Sequence, residues 1–481
     1  MESVKLRKTL PKEHLKNLVY QSPENEERDK QKQKARNEKV LEYYLIEKMN
    51  PVLNIEETYK IDESISNKET YAFYPITGTQ LNNPGSITIT VQNSDNFYLP
   101  SESWLEFEGV LKKTDGNYAT TDLISFANNG ILHLFDNIKY LLSSTEIESV
   151  FNPGTVSNVL GLAKYPASFE QGLIQCWAPD STNDPADSNT GFAKRRDFII
   201  KSNPTPVGSF RFAVPLKHIL GFAEDYTKVC YGFVHTLVLT RSSSDANALF
   251  RKKDATGVSN TNVPDGVVDM KDIRWMLPRV SPADVARYEL LKQIKAETIL
   301  NVGFRMRQSI TTAVPNSTQF TWRLGVRTSP EQPRYIFLAF QTARSEDQEK
   351  NFSTYDHCNL TKAHVLLNND RYPLNDFETD FSQNHFDNLY HDFASFIEKF
   401  YKVDSMITGT SVDPITYKKL YPIILFDVSK QSERLKSGVT DITLQCHFKA
   451  NPTAGTVAHA IIISDRKIRF KSDGEKMSVL F

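Results

Sequence analysis

Long apolar runs are missing from this chain. No stretch approaches the roughly 20 consecutive apolar residues that a membrane-spanning helix needs, and the opening Met-Glu-Ser-Val-Lys-Leu-Arg-Lys lacks the apolar core of a secretory leader. Cysteine is scarce. Cys176, Cys230, Cys358 and Cys446 lie far apart in sequence, with none at metal-ligand spacing from another, so a zinc knuckle is not expected, and a reduced, intracellular origin is. Without a leader, the glycosylation triplets at Asn316, Asn351 and Asn359 read as chance matches. Charge of one sign is absent as well: 57 Lys and Arg stand against 58 Asp and Glu, for a net −1. Such a chain has no global pull toward nucleic acid or an anionic membrane. No Gly-x-Ser-x-Gly elbow, phosphate-binding Walker loop or dinucleotide fingerprint occurs.

Aromatic and β-forming residues are plentiful. Phe numbers 29 and Tyr 20 among 481 residues, which favours pleated, half-buried surfaces. A length of this kind suits two or three domains. Ile87, Ile89 and Val91 alternate with threonines. Leu105, Phe107 and Leu111 share one face. Phe320, Trp322, Leu324 and Val326 repeat the pattern, and each series predicts a half-buried strand. Phe233, His235, Leu237 and Leu239 alternate with Val234, Thr236, Val238 and Thr240. Tyr335 to Phe340 are apolar on both faces, as in a central strand. Further strands are expected over 131–141, 421–428, 440–448 and 457–470.

Helices are fewer. One is expected over 155–164, stopped by Pro166. A second should start at Ser281-Pro282-Ala283-Asp284, with Ser281 as cap and Pro282 at the first position, and run to about Ile294. Phe386, Leu389, Tyr390, Phe393, Phe396, Ile397 and Phe400 recur at three and four residues and predict one amphipathic helix. Residues 178–190, 241–247 and 253–266 have loop composition. Residues 1–50 are rich in Lys, Arg, Glu and Gln, with an apolar patch from Val40 to Ile46. They read as a helical or disordered arm whose mixed charge suits solvent better than phosphate.

The order of elements also repeats. A Leu-Leu pair, Leu141-Leu142 and then Leu366-Leu367, precedes a helical stretch in each half. Each half ends in a strand with a related core, Asp272-Ile273-Arg274 and Asp465-Arg466-Lys467-Ile468.

Candidate chemistry is thin. His385 and His391 fall on the predicted amphipathic helix but six residues apart, on different faces, whereas a metal pair wants i and i+4. His357-Cys358 and Cys446-His447 adjoin, so on strands their side chains point to opposite faces. Asp376, Glu378 and Asp380 would share one side of a strand. The simpler reading of that trio is a solvated loop, with Asp380 or Ser382 capping the next helix. Lys194-Arg195-Arg196 is the most compact basic run and reads as a solvated turn, with nuclear import or a DNA contact as the alternative. Gly303 and Gly325 mark bulges or close packing. No catalytic, cofactor-binding or metal-binding residue is assigned.

Several segments carry a family resemblance: Leu99-Pro100-Ser101-Glu102-Ser103-Trp104-Leu105-Glu106-Phe107-Glu108, then Asn128-Asn129-Gly130-Ile131-Leu132-His133-Leu134-Phe135, then Pro333-Arg334-Tyr335-Ile336-Phe337-Leu338-Ala339-Phe340-Gln341. Tyr421 to Val428 and Ala460 to Lys467 complete the set. Over residues 65–475 the chain resembles the double jelly-roll major capsid proteins of Polinton (Maverick) elements, adintoviruses and virophages, in the adenovirus-hexon-like lineage. The resemblance implies an all-β fold with a few short helices: two tandem eight-stranded jelly-roll β-sandwiches behind a helical or disordered N-terminal arm. The expected layout is a charged arm over 1–60, a first jelly roll over 61–280, a linker helix over 281–297 and a second jelly roll over 298–481.

The resemblance also implies a non-enzymatic viral major capsid protein without cofactors. It would form a homotrimer, a pseudo-hexagonal capsomer, and then an icosahedral shell around a DNA genome. Implied partners are further copies of itself, penton and minor capsid proteins, and packaged DNA reached through the arm, with no small-molecule substrate. The implied location is the virion, assembled in the host cytoplasm or nucleus. A genomic copy that no longer packages anything would read the same way. The rival reading is a tandem β-sandwich that binds or cleaves carbohydrate. That rival needs paired carboxylates across a cleft, or at least two of Trp104, Trp177, Trp275 and Trp322 surfacing together.

Overall fold

Period-two alternation shapes the strands, which are the commonest regular element among the described residues. The computed structural model describes residues 63–77, 80–167, 169–252, 263–296, 299–327, 331–404, 409–431, 439–472 and 477–481. The arm expected over 1–60, and most of the loop expected over 253–266, lie outside the described residues.

Eight strands build a first barrel: β1 (Ile65–Phe73), β2 (Gly85–Val91), β3 (Trp104–Lys113), β4 (Phe135–Leu142), β5 (Thr145–Phe151), β6 (Ser209–Pro215), β7 (His235–Arg241) and β8 (Gly266–Pro282). Eight more build a second: β9 (Leu300–Ala313), β10 (Gln319–Arg327), β11 (Gln332–Thr342), β12 (Leu360–Leu367), β13 (Asp370–Tyr372), β14 (Ile424–Asp427), β15 (Thr440–Phe448) and β16 (Thr456–Ser472).

The first barrel pairs its strands as β1-β8-β3-β6 and β2-β7-β4-β5; the second pairs them as β9-β16-β11-β14 and β10-β15-β12-β13. Counted within each barrel, both give the order 1-8-3-6 facing 2-7-4-5. This is the double-sheet connectivity of a jelly roll, and it occurs twice. Short extra strands decorate it, among them Phe97–Tyr98 on β8 and Met477–Leu480 on β16.

The repeated sequence cues fall on equivalent places. Each Leu-Leu pair ends the fourth strand of its barrel. A two-residue turn follows, with Ser143 and Ser144 at φ 46° and 70° in the first barrel and Asn368 at 55° in the second. The two Asp-and-Ile cores lie in the eighth strands, both 17 residues long.

Alternation sets the core. Ile87, Ile89 and Val91 are buried, as are Leu105, Phe107 and Leu111. Residues 335–340 are buried on both faces, as a central strand requires. Along β7 the odd positions are buried and the even ones half-buried. Gly325 stands at a register shift opposite Ile442 with φ 136°, as a bulge glycine does.

Helices lie in the long connections between fifth and sixth strands: α1 (Pro153–Lys164) and α2 (Thr190–Arg196) in the first barrel, then α3 (Leu216–Ile219) and α4 (Gly221–Asp225) after β6. Helix α5 (Asp284–Lys295) links the barrels, and α6 (Asp387–Ala394), α7 (Phe396–Tyr401) and α8 (Pro414–Leu420) belong to the second.

Four local expectations are corrected. Ser281 and Pro282 do not start a helix. They end β8, pairing with Asn67 and Ile65, and Ala283 takes the cap position without a side-chain bond. Residues 131–141 are not one strand: Asn129 turns left-handed at φ 59°, and Gly130–Leu134 forms a 3-10 turn before β4. The 386–400 helix is two, because α6 ends at Ala394 and α7 begins again after Ser395. The expected strand over 421–428 shortens to β14, since Tyr421 caps α8. Helix α1 forms as expected and is buried along its whole length.

Candidate functional site

The two barrels meet along a seam, and the most concentrated chemistry of the chain lies there. Strand β9 of the second barrel packs on β5 and α4 of the first. Gly221, at the start of α4, makes the approach possible: a Cβ there would stand 1.8 Å from the Arg305 carbonyl oxygen.

Buried charges tie the two surfaces. Glu148 on β5 accepts from the main-chain N–H of Phe222 and of Arg307, each at 2.9 Å. The Arg307 guanidinium donates to the carbonyls of His218 at 2.7 Å and Lys217 at 2.9 Å, and to Glu224 at 2.5 Å. Glu224 also receives Lys164 Nζ at 2.6 Å and the Tyr401 hydroxyl at 2.5 Å. Arg305 grips Asp225 with Nε at 2.9 Å and lies over the Phe400 ring at 3.5 Å.

Burial sets the electrostatics. It raises the Glu148 carboxyl, against the pull of Arg307. It pushes Lys164 down to about 8, although Glu224 opposes the shift. Glu224 itself is held well below the usual carboxylate range, because Lys164 and Arg307 outweigh its burial. Such a network is costly unless every member is satisfied.

A second buried network sits at the loop end of the seam. Asp180 receives Arg195 at 2.8 Å, Asn189 and Asn351 at 2.9 Å each, and the Ser353 hydroxyl at 3.3 Å. Asn158 on α1 donates to the Ser353 carbonyl at 2.9 Å and to Tyr355 at 3.1 Å. Gln348 pairs both ways with the Gly266 backbone, at 2.8 and 2.9 Å. Six hydrogen bonds of this network fasten the second barrel to the first, two each at Asp180, Asn158 and Gln348.

The candidate motifs fare differently. Lys194-Arg195-Arg196 is not a solvated basic run. It lies on α2, where Arg195 and Arg196 are buried against Asp180 and Asp187, and only Lys194 is exposed. Sequence alone had no signal for this, because the partner Asp180 sits inside a stretch of loop composition.

His385 and His391 do not share a helix: His385 bridges to Asp380 before α6, and His391 lies within it. His357-Cys358 is no strand pair, since Cys358 and Asn359 turn at φ 48° and 49° and His357 stacks on Phe381. Asp376 is engaged by Arg371 and His364, and Asp380 by Ser382 and Lys449. Glu378 is exposed between the buried Phe377 and Thr379, which keeps the expected alternation. Trp177 and Trp275 are buried, while Trp104 and Trp322 are half-buried on different barrels.

Among the described residues, no three of His, Cys, Asp and Glu converge on a metal-sized site. Burial lowers His133, His218 and His235 to about 3 and His459 to about 4, so these imidazoles are neutral packing elements near pH 7. It raises the thiols of Cys176 and Cys358 to about 11 and 12, far from a nucleophile's range. Among the described residues no helix is long and apolar enough to cross a membrane.

Comparison with known proteins agrees with the topology. Solved structures with the same fold include the Sputnik virophage structure by cryo-EM, at 11% identity and a TM-score of 0.57, covering 90% of this chain and 92% of that one. The mavirus major capsid protein matches at 12% identity and TM-score 0.52, covering 90% and 93%. The Faustovirus major capsid protein matches at 8% identity and TM-score 0.52, covering 91% and 93%. No curated protein matches the sequence. The family model of the double jelly roll-like domain matches residues 187–468, more than half of the chain. With that match and the same strand order in both barrels, the chain belongs to the double jelly roll-like family.

Proposed function

We propose that this chain is a viral major capsid protein, a non-enzymatic building block that trimerises and tiles an icosahedral shell around a DNA genome. The observation that carries this reading is the duplication itself. Two barrels of one topology, fastened side by side through Arg307, Glu148 and Asp180, give each chain two similar lobes. Three chains about a threefold axis then present six lobes, a near-hexagonal tile, and closed symmetry fixes the interface. The fold relatives include the mavirus and Faustovirus major capsid proteins.

Exposed apolar residues support assembly. Ile65, Tyr71, Tyr74 and Ile76 line the edge strand and its continuation, and Val285 and Tyr288 stand 80% and 67% exposed on α5. Apolar surface of this kind on an edge strand and an unburied helix is a mark of subunit contact. Partners in this reading are further copies, penton and minor capsid proteins, and the location is the virion. Carbohydrate binding is disfavoured by the burial of Trp177 and Trp275.

Light scattering on the purified protein, with electron micrographs of the same sample, tests the proposal. Trimers and shell-like particles are expected. A strict monomer at high concentration, with no particles, would sink it.

A further inference from the structure

Among the described residues, the second barrel carries a basic cleft whose counterpart in the first barrel is not basic. It opens where β11 starts and β14 ends, with a volume of about 720 Å³. Arg334, Lys399, Lys402, Lys430 and Lys467 line it, all exposed. Two carboxylates, Asp427 and Asp465, face them. Asp465 is taken by Arg334 at 2.5 Å, and Lys399 is shared between Asp392 at 3.0 Å and Asp427 at 3.9 Å. Lys402, Lys430 and Lys467 have no ion-pair partner among the described residues.

The duplication supplies an internal control. The equivalent place in the first barrel, where β3 starts and β6 ends, is also a cleft, of about 420 Å³. Its ionisable lining is one carboxylate and one ammonium, Glu102 and Lys217, and Glu102 is already paired with Lys68. The jelly roll therefore creates the concavity in both barrels without requiring it to be basic. Of the two clefts, and among the described residues, only the second-barrel one carries the lysine excess.

The lining narrows the partner. Tyr335 and Pro333 are buried, so among the described residues no exposed ring stands ready to stack unpaired bases. Among the described residues, no exposed apolar side chain lines the cleft for insertion among acyl chains either. What remains is charge on flexible stems, the chemistry that grips a duplex phosphate backbone irrespective of sequence.

We infer that this cleft is a contact site for the phosphate backbone of double-stranded DNA, with Lys402, Lys430 and Lys467 as the principal cations. The inference rests on the capsid reading for its biological setting, and it places a DNA contact on the second barrel in addition to the one expected of the N-terminal arm.

The test is fluorescence anisotropy of a short labelled duplex of mixed sequence, using the full-length chain. The wild type is compared with the triple variant Lys402→Gln, Lys430→Gln, Lys467→Gln and with Lys217→Gln as the first-barrel control. If three phosphate contacts are lost, the slope of log K against log salt falls by about 2.7, and low-salt affinity falls about ten-fold or more. Lys217→Gln binds like the wild type. A triple variant that binds as tightly as the wild type, or a wild type that does not bind duplex at low salt, overturns the inference. So does a wild type that binds vesicles containing phosphatidylserine in preference to duplex. Light scattering on the same samples separates the two claims: a wild type that forms trimers but ignores duplex removes only the cleft, while a monomeric wild type removes the capsid reading.

Discussion

The main-chain N–H of Arg307 donates to the Glu148 carboxylate across the seam between the barrels, at 2.9 Å. Glu148 is therefore held by the backbone of the barrel it faces, while the Arg307 side chain turns back to Glu224 and to two carbonyls of the first barrel. The contact is reciprocal. Each barrel supplies a charged side chain, and each supplies backbone groups to receive it.

Arg307→Met should therefore destabilise the protein by about 3–5 kcal/mol at neutral pH, because it strands buried carboxylates. The loss should shrink on mild acidification. Burial raises Glu148 above its ordinary value of 4.5, so between 4.5 and the raised value the folded state binds more protons than the unfolded one. Stability linked to this group thus falls as pH rises through that window and recovers as pH is lowered. Urea midpoints at neutral and mildly acidic pH, for wild type and variant, read the effect. A variant with an unchanged midpoint would refute it.

Lys164 has the opposite sense. Its folded value of about 8 lies below the unfolded 10.5. Below 8 the ammonium is charged in both states and its burial penalty is in full force. Between 8 and 10.5 the unfolded chain binds more protons, so stability linked to Lys164 rises with pH. Lys164→Met should abolish that rise. Denaturation midpoints from pH 7 to pH 10 compare the two proteins, and parallel profiles would refute the assignment.

Asp180 and Asp197 separate buried from surface ion pairing. Asp180 is buried with Arg195 and three other donors, so Asp180→Ala should cost about 3–5 kcal/mol. Asp197 meets Lys201 at 3.6 Å on the surface, so Asp197→Ala should cost less than about 1 kcal/mol. Thermal melts of both variants check the ratio.

The seam was not legible in the sequence, although much of the barrels was. Strands with strict alternation, such as Ile87-Ile89-Val91, announce their own inward face, and Leu141-Leu142 and Leu366-Leu367 mark equivalent strand ends. The elements that were misread depend on distant partners. Ser281 and Pro282 look like a helix start, but pairing with Asn67 and Ile65, more than two hundred residues away, extends the strand through them. Arg195 and Arg196 look solvated until Asp180 and Asp187 fold over them. Glu148 and Arg307 lie 159 residues apart, and no local pattern records such a pairing.

Gly221 shows how closely the barrels approach, and Gly303, which faces open space within its own barrel, is the comparison. A Cβ on Gly221 would meet the Arg305 carbonyl at 1.8 Å, and backbone cannot swing aside as a side chain tip can. On Gly303, in β9, the nearest atom would be the Arg466 carbonyl at 4.0 Å. Gly221→Ala should therefore push α4 from β9, loosen Arg305 from Asp225, and destabilise by at least the roughly 1–3 kcal/mol typical of overpacking. Gly303→Ala should be neutral or slightly stabilising, since alanine restricts the unfolded chain. Thermal melts rank the two, and limited proteolysis reports whether the barrels part. If both variants melt with the wild type, the seam has more slack than the Gly221 contact allows.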